Sequence, residues 1–106
     1  MKTFDDFWPF YLREHARATT RRLHFIGTSL AVMIALYAIA TRQPRFVLAA
    51  LLCGYAFAWV GHVFIEHNRP ATFQHPLWSF RGDFRMLAFA LTGRLPAELT
   101  RLGIPR

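Results

Sequence analysis

Two stretches of this chain contain no Asp, Glu, Lys or Arg, one between Arg22 and Arg42 and the other between Arg45 and Glu66. They hold 19 and 20 residues, and each would run about 30 Å as helix, the thickness of one hydrocarbon core. A water-soluble domain of 106 residues rarely carries two such stretches. The pattern predicts an all-α fold: an integral membrane hairpin of two transmembrane helices, spanning 23–41 and 46–66. One cysteine excludes a disulfide scaffold. The apolar segregation argues against an ordinary water-soluble enzyme.

Between the spans, Arg42-Gln43-Pro44-Arg45 is a short polar turn containing a helix breaker. The net charge of +7 lies mostly outside the spans. Positive flanks stay in the cytoplasm, so both termini are expected on the cytoplasmic side. The arginines are scattered rather than run together, which suits anchoring in the lipid bilayer and not nucleic-acid binding. The first span begins too far along the chain for a signal peptide and lacks a convincing cleavage site. One membrane domain covers 1–106.

Ahead of the hairpin, Phe4, Phe7, Trp8, Tyr11 and His15 share one helical face. Residues 1–22 are therefore expected as an amphipathic helix at the membrane interface. Thr3 with Asp6 suits its cap, and Pro9 implies a kink or a later start. After the hairpin, Asn68-Arg69-Pro70 ends the second helix. The tail, 67–106, is expected to be a loop as far as Trp78, followed by a short interfacial or re-entrant helix over 84–92.

The histidines carry the chemical information. In a hairpin centred on the turn, His24 and His62 reach the same depth, about one turn inside the cytoplasmic end. Glu66 follows His62 at i, i+4, and the short linker 16–22 can return His15 to the same place. Ionisable groups inside an apolar span are expensive and tend to be functional. Three histidines and a carboxylate suit a first-row metal with open positions, ferrous iron before zinc. His67 and His75 stand behind these four as ligands, the first round the helix from His62 and the second in a loop. Arg21, Arg22 and Arg69 can hold a substrate carboxylate or can simply be topology signals. No G-x-S-x-G, Walker loop, G-x-G-x-x-G or C-x-x-C occurs. Cys53 reads as mid-span packing.

Three segments carry a resemblance: Tyr11-Leu12-Arg13-Glu14-His15; Arg21-Arg22-Leu23-His24-Phe25-Ile26-Gly27-Thr28; and Gly61-His62-Val63-Phe64-Ile65-Glu66-His67-Asn68-Arg69-Pro70-Ala71. Together they resemble a family of small multi-histidine membrane proteins long catalogued as a domain of unknown function. Its eukaryotic members are iron-dependent 2-hydroxy fatty acid dioxygenases of fatty acid α-oxidation. The likeness covers nearly the whole chain, through Pro76-Leu77-Trp78-Ser79 and Asp83-Phe84, in the compact bacterial form, which implies a place in the bacterial inner membrane. It implies Fe(II) at His15, His24 and His62 with Glu66, dioxygen as co-substrate, and a long-chain 2-hydroxy fatty acid shortened by one carbon at the interface. The family pattern has Asn, Lys and Tyr where this chain has Thr20, His67 and His75, so the last two are not general ligands. Two spans are few to enclose an acyl chain, which points to a homo-oligomer, a dimer at least. Two other classes stay open: a bis-histidine haem protein built on His24 and His62, and a non-catalytic scaffold or lipid-binding subunit.

Overall fold

The computed structural model describes residues 2–70 and 73–105. Five α-helices and no strand occur among them: α1 Phe4–Arg13, α2 Ala18–Ala40, α3 Arg45–Val60, α4 Pro76–Leu91 and α5 Leu95–Arg101. The last turn before the loop, Gly61–Glu66, continues α3 as a π-helix. That widened i→i+5 form is rare and concentrates at functional sites.

The antiparallel hairpin of α2 and α3 is the expected one. Both helices are long and apolar enough to cross a membrane, α3 being counted with its π-turn as Arg45–Glu66. At the turn Arg42 takes a left-handed φ of 54°. Gln43 N–H then donates to the Ala38 carbonyl at 2.9 Å, satisfying one of the carbonyls that a helix end leaves unpaired. The hairpin turns Met33, Leu36, Ile39, Leu48, Leu52 and Phe64 outward, each 60–71% exposed. In water that surface would be a liability, whereas in hydrocarbon it is the expected one.

Where α1 lies corrects an expectation. Thr3 Oγ1 accepts the Asp6 N–H at 3.2 Å, so the cap lies where the sequence places it, and Asp5 and Asp6 complement the helix dipole. Pro9 sits inside the helix rather than starting it. The segment 1–22 is not one interfacial helix, because the chain breaks between Arg13 and Ala18. Tertiary partners hold the break. Arg21 donates to the carbonyls of His15 at 2.8 Å and Ala16 at 2.9 Å, and Glu66 accepts the Arg17 N–H at 2.7 Å. Nor does the aromatic face turn to lipid. Phe4, Phe7, Trp8, Tyr11 and Leu12 are buried in a core completed by Met86, Leu95, Leu99 and Ile104.

The tail also differs. Helix α4 starts at Pro76, whose fixed φ suits a first helical turn, and runs 16 residues, where a loop to Trp78 and a helix over 84–92 were expected. Its buried face is Ser79, Gly82 and Met86, small and partly polar, so it shows no apolar stripe to read. Gly82 is required there, since a Cβ would lie 2.9 Å from the Tyr11 ring. Gly93, at φ 74°, closes α4, and the unforeseen α5 follows. Trp8 Nε1 donates to Glu98 at 3.0 Å and ties α5 to α1.

Candidate metal centre

Three elements each deliver one imidazole. His15 comes from the turn after α1, His24 from the second turn of α2, and His62 from the π-turn. All three are buried. The Nε2 atoms of His15 and His24 are 2.9 Å apart, those of His15 and His62 are 3.1 Å apart, and the ligand atoms of all three lie within 4.8 Å of one another.

Hydrogen bonds to the far nitrogens set the tautomers. His15 Nδ1 is 2.7 Å from the Tyr11 carbonyl, which can only accept, so Nδ1 carries the proton. His62 Nδ1 is 2.7 Å from Asn68 Oδ1. Asn68 cannot be the other way round. Its Nδ2 donates to the Glu14 carbonyl at 3.1 Å and the Glu14 carboxylate at 2.5 Å, leaving Oδ1 to accept from His62. Neutral His15 and His62 therefore aim bare Nε2 lone pairs at each other across 3.1 Å. That arrangement is repulsive unless a cation lies between them. Burial, reinforced by the His24 and His62 imidazoles, holds His15 well below the ordinary histidine value, keeping it in the form that binds a metal.

These residues fit a metal ion. The donors are buried imidazoles, those of His15 and His62 neutral and of fixed tautomer, their spacing suits neighbouring ligands of one ion, and among the described residues Thr20 Oγ1 and Ser79 Oγ are buried without a hydrogen-bond partner. A cavity of about 10 Å³ lies among His15, His24, His62, Tyr11, Ser79 and Asp83, about the room one small particle needs.

Other expected residues fall elsewhere. Glu66 turns its carboxylate to the Arg17 N–H, outside the triad. The i, i+4 rule assumes 3.6 residues per turn, and the π-turn changes that register. His67, at φ 58°, is exposed. His75 stacks on Trp78, with centroids 5.3 Å apart. Arg21 is buried and spends its guanidinium on the backbone, including the Pro105 carbonyl at 3.3 Å. Arg22 and Arg69 are exposed, Arg69 over the Phe73 ring.

The sequence reading missed three groups beside the histidines: Asp83, Asn68 and the Tyr11 hydroxyl. Asp83 Oδ1 lies 3.6 Å from His24 Nε2 and accepts a short hydrogen bond from Tyr11. Burial raises its carboxyl to about 7, against the Tyr11 hydrogen bond, which lowers it. The only signal in the sequence was a lone carboxylate between Arg81 and Arg85 in an otherwise apolar and aromatic run.

No curated protein and no solved structure matches the chain. A family described as 2-hydroxy-palmitic acid dioxygenase Mpo1-like matches residues 1–95, and these include all three histidines and Asp83. Matched over most of its length, and carrying a buried three-histidine group that can hold a metal, the chain belongs to the Mpo1-like family.

Proposed function

We propose that this chain is an Fe(II)-dependent dioxygenase that shortens long-chain 2-hydroxy fatty acids by one carbon. It would act as an integral protein of the bacterial inner membrane with both termini cytoplasmic. The observation that carries the reading is the triad itself: three buried imidazoles with ligand atoms within 4.8 Å of one another, two of them, His15 and His62, held with bare Nε2 atoms by hydrogen bonds at Nδ1. Neutral imidazole with carboxylate suits non-haem iron. Iron held there would bring dioxygen and the hydroxy acid together and pass electrons between them. The balance R–CHOH–COOH + O2 → R–COOH + CO2 + H2O needs no further reductant.

The chain's own residues divide the remaining work. Asn68 and the Tyr11 carbonyl orient His62 and His15. Asp83, held by the Tyr11 hydroxyl beside His24, is placed to accept the proton of the substrate's C2 hydroxyl at Oδ1. Arg21 holds the backbone that carries His15, which leaves the exposed Arg22 and Arg69 to meet a carboxylate at the interface. Glu66 contributes by fixing the start of α2 at Arg17. A second copy of the chain is the proposed partner for the outer faces of α2 and α3. The bis-histidine haem is disfavoured, because the His15, His24 and His62 rings close a triangle with centroids 4.2, 4.5 and 5.4 Å apart, which leaves no slot for a macrocycle.

The test is elemental analysis of anaerobically purified protein with its absorbance spectrum, followed by assay of 2-hydroxy fatty acids under O2. About one iron per chain, no Soret band and a product one carbon shorter are expected. His62→Ala should lose both metal and turnover while still inserting in membranes. Full activity in that variant would sink the reading. Absence of metal after Fe(II) reconstitution would favour a non-catalytic lipid-binding protein.

A further inference from the structure

A groove of about 220 Å³ runs down the hairpin between α2 and α3. His24 and Asp83 form its upper end, and Ala35 and Val47 its lower end. His24 to Ala35 on one wall and Ala58 to Val47 on the other each span about 16 Å of helix. That is about half of a 30 Å hydrocarbon core, the depth of one leaflet. Below the histidine the lining is hydrocarbon apart from the hydroxyls of Thr28 and Tyr55. Small side chains keep the groove open: a Cβ on Gly54 would meet only ordinary contacts, 3.5 Å from the Ala31 methyl. The mouth is not sealed by protein, since Phe80 and Phe84 on its rim are 48% and 41% exposed.

One polar end at the metal centre, a hydrocarbon trough one leaflet deep and a mouth facing the spans' surroundings together describe a site for an extended acyl chain. We propose that this groove holds the acyl chain of the substrate, admitted from the lipid past Phe80 and Phe84, and that Ala35 and Val47 set the longest chain accepted. This rests on the 2-hydroxy fatty acid reading and adds to it where the chain lies and what measures it. Each methylene forced out of the groove costs about fourfold in affinity.

The experiment uses the full chain in detergent. Saturated fatty acids of graded length displace a fluorescent fatty acid, and 2-hydroxy acids of the same lengths are assayed for turnover. Ala35→Phe should move both optima to shorter chains, with about fourfold lost per displaced methylene and short chains held within about twofold. Val47→Phe should do the same from the opposite wall, at a position 43% exposed where added bulk leaves folding intact. Leu36→Phe, at the same depth as Ala35 but 60% exposed and outside the groove, should leave the profile unchanged. Unaltered profiles in both groove variants, or the same shift in Leu36→Phe, would overturn the groove. Length-dependent binding of plain fatty acids without turnover of 2-hydroxy acids would keep the groove and overturn the dioxygenase reading.

Discussion

Single atoms decide whether the three imidazoles make a metal centre or a hydrophobic pocket with unlucky polar groups. Asn68 is the sharpest case, since its Oδ1 fixes the proton of His62 on Nδ1 and its Nδ2 is pinned by Glu14. Asn68→Ala should weaken Fe(II) affinity about 10–100-fold, measured by equilibrium metal titration, with helix content unchanged. An affinity equal to the parent's would mean the tautomer is set by something else. Gly82 acts at the same scale, as an Ala methyl there would meet the Tyr11 ring at 2.9 Å. Gly82→Ala should cost about 1–3 kcal/mol in chemical denaturation, the usual result of overpacking.

Between elements, the hairpin and the helical cap on it are held by different physics. Along the hairpin, approach distance decides. A Cβ on Gly27 would lie 2.6 Å from the Phe57 Cβ, whereas Gly54 has room for one. Gly27→Ala should therefore destabilise by about 1–3 kcal/mol and Gly54→Ala by much less, a contrast that thermal denaturation in detergent reads directly. In the cap, Arg101 and then Trp8 hold the Glu98 carboxyl below its ordinary value of 4.5. A carboxyl depressed by folding stabilises fully above the unfolded value, and that contribution is lost as pH falls through the lower folded value. Helix α5 should thus loosen in acid, seen as faster amide exchange over Leu95–Arg101. Glu98→Gln should remove that pH dependence.

At the scale of the whole molecule, the hairpin carries an apolar exterior and the cap carries most of the charge. Arg81 lies over Phe4, Arg85 over Phe4, Trp8 and Phe89, and Arg94 over Phe89, so several arginines sit on aromatic faces, and Arg85 also pairs with Asp5 at 3.7 Å. The arrangement predicts that the cap faces the cytoplasm and the turn the opposite side. In a Cys53→Ser background, Arg42→Cys should label from outside intact cells, and Lys2→Cys only after permeabilisation. The reverse pattern would invert the topology.

Hydropathy and charge sufficed for the two long apolar helices and the turn, because an uncharged run of about twenty residues is a local property of each segment. The equal depth of His24 and His62 followed from the same hairpin arithmetic, and the aromatic side of the first helix from its periodicity. What lay on that aromatic side did not follow. Lipid and a small-residue helix face ask for the same pattern in α1, and the α4 face that meets it reads as Ser79, Gly82 and Met86, with no stripe to betray it. Asp83 entered the site through that unseen contact. Glu66 lies apart from the three histidines, against the Arg17 N–H, at the end of a π-turn that alters the spacing on which the sequence argument relied. Local composition determined which segments can cross a membrane and which residues can bind a metal. Only the packing of α4 on α1, a long-range contact between residues some seventy positions apart, decided which polar groups share one cavity.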